Sequence, residues 1–384
     1  MHTFQTAGRI IYGRGSISQL SGEAARLGRK ALLVTGMSSL KRLGVLDKVI
    51  SPLQCKGVEV VLFNKVEAEP SIRTVELGIE EARRHHCDLV ISIGGGSAID
   101  VGKVVAGLVM APGSVKEYFL GEREIVEKGL PFIAIPTTAG TGAEVTMNSV
   151  LTDPEELVKQ SIRSPFLLAD VALVDPELTL TLPPHITAYS GMDALTQAIE
   201  GFTSKGAGPV TDALALRAAE LIGRNLLRAY EVPGDIEARE ALATGSLMAG
   251  MAFASARLGA VHGLAHPIGV RYHKPHGLVC AVLLPGVMRF NLPVVTGKYA
   301  EVAAALGAGE AGTASAAGIP AEAGIRFIEH LLDRLGIPRK LSGIGLVEED
   351  IAKIAEEALP SGSTKANPRD VTHEDLVNIL RQNL

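Results

Sequence analysis

Residues 88–103 read "DLVISIGGGSAIDVGK". The run Leu89–Ile93 is short, apolar and rich in β-branched residues, so it reads as a buried strand. Three glycines and Ser97 follow it, and after them comes a stretch with helical spacing. Strand, tight turn and helix start are thus packed into sixteen residues. Glycines let a backbone approach an anion closely, and a helix start offers free N–H groups at its positive dipole end. The spacing is not G-x-G-x-x-G, so the usual dinucleotide fingerprint is absent. On its own the turn at Gly94–Ser97 reads equally as a phosphate cradle or as a tight structural turn.

Working outward, the same grammar repeats through the first half of the chain. "ALLVT" (31–35), "VEVVLF" (58–63), "PFIAIP" (131–136) and "VALVD" (171–175) are further short Val/Ile/Leu-rich runs. Between them lie helical patterns such as "SISQLSGEAARLG" and "SIRTVELGIEEARRHH". Strands alternating with helices predict βαβ units and a parallel, doubly wound sheet. "GRIIYGRG" near the start reads as an extra edge strand or a hairpin. A second loop, "IPTTAGTGAEVT" (135–146), also follows a strand and carries Thr137, Thr138, Thr141 and Thr146 with two glycines. Hydroxyls and glycines at a strand's carboxyl end suit a ribose, a phosphate or a carboxamide, and two such loops on one sheet favour a nucleotide site over an ordinary turn.

After "LPP" (182–184) the grammar changes. No convincing strand follows, and Ala- and Leu-rich helical patterns run on through "SGMDALTQAIEGFTS", "VTDALALRAAELIGRNLLRAY", "EAREALATGSLMAGMAFAS", "GKYAEVAAALG" and "IRFIEHLLDRLG". The expected organisation is an α/β, Rossmann-like dinucleotide-binding domain over 1–182 and an all-helical domain over 183–384. A length of 384 residues suits two domains. With 47% hydrophobic and 21% charged residues the chain can build large cores. The net charge of −5 argues against nucleic acid or an anionic membrane as the main partner. No uninterrupted apolar run reaches the roughly 20 residues of a membrane span, and the first residues lack the basic and apolar regions of a signal peptide. Three widely spaced cysteines, Cys55, Cys87 and Cys280, read as reduced thiols of a cytoplasmic protein.

"VHGLAHPIGVRYHKPHG" (261–277) gathers His262, His266, His273 and His276, four of the chain's 10 histidines. A single histidine is usually a satisfied core or surface residue, but a cluster of imidazoles suits a cation that keeps them neutral. His262 and His266, at i and i+4, would share one helix face. His276, between Pro275 and Gly277, is expected in a loop. A divalent cation would also want a carboxylate, and "SGMDALTQAIEG" offers Asp193 on an otherwise apolar helix, with Gln197 one turn on and Glu200 after it. A buried unpaired Asp is costly, so Asp193 needs either a helix-cap role or a cation.

Four motifs in the right order, "GGGSAIDVGK", "PTTAGTGAEVT", "GMDALTQAIEG" and "GMAFASARLGAVHGLAHPIGVRYHKPHG", together with the late "NPR" (367–369), resemble the iron-containing, group III alcohol dehydrogenases over nearly the whole chain. The resemblance implies a dehydroquinate synthase-like architecture, with an NAD(P)-binding α/β domain and a helical metal domain. It implies a small alcohol or aldehyde as substrate, a homo-oligomer of two or more chains, and iron or zinc as the metal. Asp193, His262 and His276 match metal ligands. His266 matches a proton-relay position beside the metal rather than a ligand, and His273 matches nothing. Gly95, Gly96 and Ser97 match a pyrophosphate loop; Thr137, Thr138, Thr141, Thr146 and Lys159 match cofactor contacts; Phe253 matches a substrate-pocket wall. One position departs: the family helix reads D-A-L-T-H-A-I-E with its histidine a ligand, and here Gln197 stands there. An amide oxygen is a neutral, weaker donor, so Gln197 is expected to be a weak or outer ligand. NAD-preferring members often carry an aspartate after the threonine that ends the second strand. Here that position is Gly36, and Ser38, Ser39 and Lys41 follow, which favours NADP over NAD. The competing readings are a metal-free reductase resembling maleylacetate reductase, a lyase resembling dehydroquinate synthase, and a nucleotide-binding protein without catalysis.

Overall fold

The computed structural model describes residues 2–37, 45–156, 158–308 and 320–384. The chain divides into two compact units, one of Gln5–Thr181 and the other of Leu182–Leu384 with the residues up to Phe4.

The first unit is built on a six-stranded sheet of order β1-β8-β5-β4-β2-β3. Its strands are β1 (Arg9–Tyr12), β2 (Lys30–Gly36), β3 (Glu59–Val66), β4 (Leu89–Gly94), β5 (Phe132–Pro136) and β8 (Val171–Val174). All pairings are parallel. The helices between strands are α1 (Leu20–Leu27), α2 (Val45–Cys55), α3 (Ile72–Arg84), α4 (Gly96–Leu108) and α5 (Val115–Phe119). Strand β4 is buried at every residue, and β8 likewise, which is why these runs are continuously apolar rather than alternating. The segment read as an edge strand or hairpin is the edge strand: Arg9–Tyr12 pairs with Val171–Val174 in register. The chain steps from β2 outward to β3, then returns across β2 to β4, so the order reverses between β2 and β4. That is the topological switch point, where ligands of open α/β sheets bind at the strands' carboxyl ends. A feature absent from the sequence reading is the antiparallel pair β6 (Asn148–Asp153) and β7 (Val158–Arg163).

The second unit has no strand among its described residues. Its helices are α6 (Pro184–Thr203), α7 (Pro209–Glu231), α8 (Ile236–Ala256), α9 (Ala260–Tyr272), α10 (His276–Leu306), α11 (Ala321–Arg334), α12 (Ile351–Ala358), α13 (Gly362–Ala366) and α14 (His373–Gln382). One expectation is corrected. His276 is not in a loop but opens α10 directly after Pro275. The stretch "GKYAEVAAALG" is helical as expected: it lies in the far part of α10, which is two helices meeting at a kink at Val295. By length and composition α10 is apolar enough to cross a membrane, a feature hidden in the sequence because Pro285, Arg289, Asn291 and Pro293 interrupt its runs. It is a core helix of this unit, mostly buried and packed against α6, α7, α9 and α11.

Candidate functional site

Two constellations carry chemistry, one in each unit. In the α/β unit the carboxyl ends of β4 and β5 are in register, Gly94 opposite Pro136. The chain after each forms a turn, and the turns touch. Thr137 donates its backbone N–H to Gly94 O at 2.8 Å. Gly95 is the N-cap of α4 and Gly96 its first residue. A Cβ on Gly96 would lie 2.7 Å from Thr141 Oγ1 and 2.8 Å from its methyl, and one on Gly95 would lie 3.6 Å from the Thr138 hydroxyl. Glycine is therefore required at 96 for the threonine loop to lie against the helix start. The result is a backbone cradle with the free N–H groups of the first turn of α4 on one side and threonine hydroxyls on the other. Gly36 ends β2 at the same sheet edge; Ser38, Ser39 and Lys41 lie outside the described residues.

Neighbouring side chains brace the cradle. Ser97 Oγ donates to Ala68 O at 2.6 Å, and the adjacent Glu69 is ion-paired with Lys159 on β7. Lys159 is thereby held at the corner where α4 begins. Thr146 turns inward and is 2% exposed; its hydroxyl accepts from Lys103 Nζ at 3.1 Å. The buried Lys103 also donates to Asn148 O at 2.6 Å and stands 3.7 Å from Asp100 Oδ1, so it fastens α4 to the start of β6. Burial pushes Asp100 up to about 6 and Glu144 up to about 7, and pulls Lys103 down.

In the helical unit Asp193 and Gln197 project from α6, His262 from α9 and His276 from α10. Asp193, Gln197 and His262 are 4%, 3% and 3% exposed. His262 Nε2 is 3.4 Å from Asp193 Oδ1 and His276 Nε2 is 3.8 Å from the same oxygen. Gly277 makes the close approach of α10 to α6 possible: a Cβ there would lie 2.1 Å from Tyr189 O and 3.2 Å from Asp193 Cβ. Behind His262, Glu200 accepts from the ring's Nδ1 at 2.6 Å and, through its other oxygen, from the Val261 N–H at 2.7 Å. This holds a proton on Nδ1, so that in the neutral ring the Nε2 lone pair faces Asp193, a carboxylate-to-imidazole arrangement usual behind metal ligands. Asn367 of the NPR motif is fully buried. It accepts from the Ala260 N–H at 3.2 Å and exchanges bonds with Asn291 on α10, so it ties the start of α9 to α10.

These groups fit a cation on an observation of their own. Asp193 Oδ1, Gln197 Oε1 and His262 Nε2 are all buried without a hydrogen-bond partner. Asp193 Oδ1 and Gln197 Oε1 are acceptors, and so is His262 Nε2 when the ring is neutral. Unpaired buried polar atoms cost about 1–3 kcal/mol each, a large fraction of a net stability of about 5–15 kcal/mol. Burial opposes charge on His262, yet Cys280, Asp193 and Glu200 draw its pKa well above the usual imidazole range. The surroundings of His262 favour positive charge, which a divalent ion would bring to ligands already turned inward.

His266 lies one turn along α9, half-buried, its ring centroid 5.3 Å from that of His276. It is outside the set of side chains whose ligand atoms converge, which are Asp193, His262, His276 and Cys280. His273 is exposed and caps α9 in a left-handed conformation, φ 50°. Phe253 on α8 is buried, its backbone and Cβ against Gly201 of α6. Sequence reasoning missed the roles of Glu200 and Cys280. Glu200 was visible as a carboxylate seven residues after Asp193, and Cys280 as a thiol one helical turn after His276.

The sequence profile for iron-containing alcohol dehydrogenase matches residues 7–176, and the profile for the C-terminal part of the Fe-containing alcohol dehydrogenase family matches residues 187–384. The chain belongs to the iron-containing alcohol dehydrogenase family. It is 41% identical over 376 residues to a 1,3-propanediol dehydrogenase of Citrobacter freundii, covering 97% of this chain and 96% of that one. It is 37% identical over 374 residues to an NAD-dependent methanol dehydrogenase of Bacillus methanolicus, covering 97% of each. A crystal structure of 1,3-propanediol oxidoreductase superposes with a TM-score of 0.94 at 39% identity, over 100% of both chains. The family's parallel-sheet N-terminal domain and mostly helical C-terminal domain are the two units described above, and membership makes this chain an alcohol dehydrogenase-type oxidoreductase for which NAD(P) and a metal are implied.

Proposed function

We propose that this chain interconverts a small alcohol and its aldehyde with a nicotinamide dinucleotide, assisted by a divalent cation held by Asp193, His262 and His276, with Gln197 a weak or outer donor. The observation that carries this reading is the trio of buried, unpartnered acceptors, Asp193 Oδ1, Gln197 Oε1 and His262 Nε2, braced by Glu200. Such an ion supplies a Lewis acid for the alcohol or aldehyde oxygen, and the dinucleotide supplies the hydride acceptor or donor. The rest is the work of the protein. Glu200 holds the His262 ring, and Gln197 Nε2 donates to Asp193 Oδ2 at 3.0 Å, holding the carboxylate. His266, half-buried beside His276, carries a proton between the reacting oxygen and solvent. Phe253 offers an apolar wall.

In the α/β unit, Gly95, Gly96 and Ser97 cradle the dinucleotide's phosphates, Thr137, Thr138 and Thr141 line the same turn, Lys159 adds a positive charge, and Thr146 supports the loop through Lys103. NADP is favoured over NAD: Gly36 brings no carboxylate to repel a 2′-phosphate, and Ser38, Ser39 and Lys41 supply hydroxyls and a cation. The test is a panel of small alcohols and aldehydes with both dinucleotides, run on the isolated protein, after chelation, and after adding back iron or zinc. Activity is expected to fall on chelation and return with metal, with the higher kcat/KM for NADP. Full activity in metal-free protein overturns the cation's role, and a clear NAD preference overturns the cofactor choice.

A further inference from the structure

Cys280 lies on α10 one turn after His276, and it is fully buried. Its sulfur is 3.5 Å from His276 Nε2. The ligand atoms of Asp193, His262, His276 and Cys280 all lie within 4.8 Å of one another. Four donors around one tetrahedral zinc, at about 2.0–2.3 Å from it, stand about 3.3–3.6 Å apart. The measured separations are 3.4 Å for His262 to Asp193, 3.5 Å for Cys280 to His276 and 3.8 Å for His276 to Asp193. These spacings match those of ligands to one ion, and the Cys280–His276 contact, which is also a sulfur hydrogen bond, already turns the sulfur toward the other donors.

Gln197 competes poorly for the same place. Its amide nitrogen is committed to Asp193 Oδ2 at 3.0 Å, and its oxygen is a neutral donor, whereas a thiolate is anionic and soft. We propose that Cys280 is a direct ligand of the cation, completing an Asp-His-His-Cys set, and that Gln197 is a positioning residue for Asp193. This rests on the metal reading above and deepens it: a sulfur ligand makes the site a zinc-preferring one. Zinc takes four such donors and can expand to five, so the set does not close the site.

The test is X-ray absorption on the full chain loaded with one equivalent of zinc, in a Cys55→Ser background because Cys55 is an exposed free thiol. The expected spectrum has one sulfur at about 2.3 Å with nitrogen and oxygen at about 2.0–2.2 Å. In Cys280→Ala and Cys280→Ser the sulfur shell should vanish while zinc still binds, more weakly by about 100-fold, since loss of an outer-shell partner alone costs about 10–100-fold. Bound zinc with only nitrogen and oxygen around it overturns the sulfur ligand and leaves the metal site standing. A sulfur shell that persists in the Cys280 variants also overturns it. Failure of the Cys280-intact protein to retain zinc overturns the metal reading and this one with it. If neither Cys280 variant folds, the spectrum of the Cys280-intact protein decides.

Discussion

The turn at Gly94–Ser97 and the cluster around Asp193 are the two places proposed to receive charge, and they are built from opposite materials. The turn is made of backbone: glycines, N–H groups at a helix start and hydroxyls of the next loop. Its specificity is steric, in what is absent at position 96. The cluster is made of side chains from three helices, buried except for the half-buried His276, and brings unpartnered polar atoms together. Its specificity is chemical, in which donor stands at each position. The turn should therefore respond to added volume and be repaired by removing volume elsewhere. The cluster should respond to the loss of a single donor or of its support, and no distant change should repair it.

The sharpest test of the side-chain site separates two histidines that sequence spacing does not distinguish. His266→Ala should lower turnover by about 10²–10⁴, the usual worth of a positioned acid–base group, while bound metal measured by elemental analysis stays at the level of the unmodified protein. His273→Ala, at an exposed helix end, should leave both unchanged. Loss of metal in His266→Ala would move His266 into the ligand set, and unchanged turnover would remove it from the mechanism.

How far the sequence revealed each region follows from the same contrast. The sheet was legible because β2, β4, β5 and β8 are short runs of Val, Ile and Leu between turn residues, and burial on both faces keeps them apolar. The β6–β7 pair was not, because "NSVLTD" alternates half-exposed and buried positions and "VKQSIR" is exposed or half-exposed at all but one, with too few apolar residues to stand out. Glycine turns are local, so their position shows in the sequence, although the turn alone did not distinguish a phosphate cradle from a tight bend. The donor cluster is non-local. Spacing placed His262 and His266 on one face but said nothing of which helices meet, and it would have made His266 a ligand. The family resemblance assigned His266 a proton-relay position instead, yet it gave no hint of Cys280. Pro275 and Gly277 disguised the start of α10 as a loop; in the structure Pro275 is its N-cap and Gly277 admits the backbone of α6.

The next prediction probes the support behind the cluster. Glu200 holds both the His262 ring and the start of α9. Glu200→Gln keeps the shape and one acceptor oxygen but removes the charge. Metal affinity, read by competition with a chelator, should fall about 10–100-fold, the cost of losing an outer-shell carboxylate. An unchanged affinity would mean that the His262 tautomer is fixed by something else.

The smallest effect is expected in the backbone site, where it is also the most diagnostic. In Gly96→Ala the new methyl would stand 2.7 Å from Thr141 Oγ1 and 2.8 Å from its methyl. Thr141 is β-branched and stiff, and its hydroxyl accepts from the Ala143 N–H at 3.3 Å, so it does not swing aside freely. Overpacking of this kind costs about 1–3 kcal/mol, and about 1.4 kcal/mol is tenfold in an equilibrium. The dinucleotide KM should therefore rise about 10-fold, with kcat and metal content little changed. Adding Thr141→Ala removes the two closest atoms and leaves the Thr141 Cβ at 3.2 Å, so much of the lost affinity should return even though a hydroxyl has gone. If the double variant binds worse than Gly96→Ala, the Thr141 hydroxyl is itself a dinucleotide contact of greater weight than the clash, and this turn too depends on a side-chain donor.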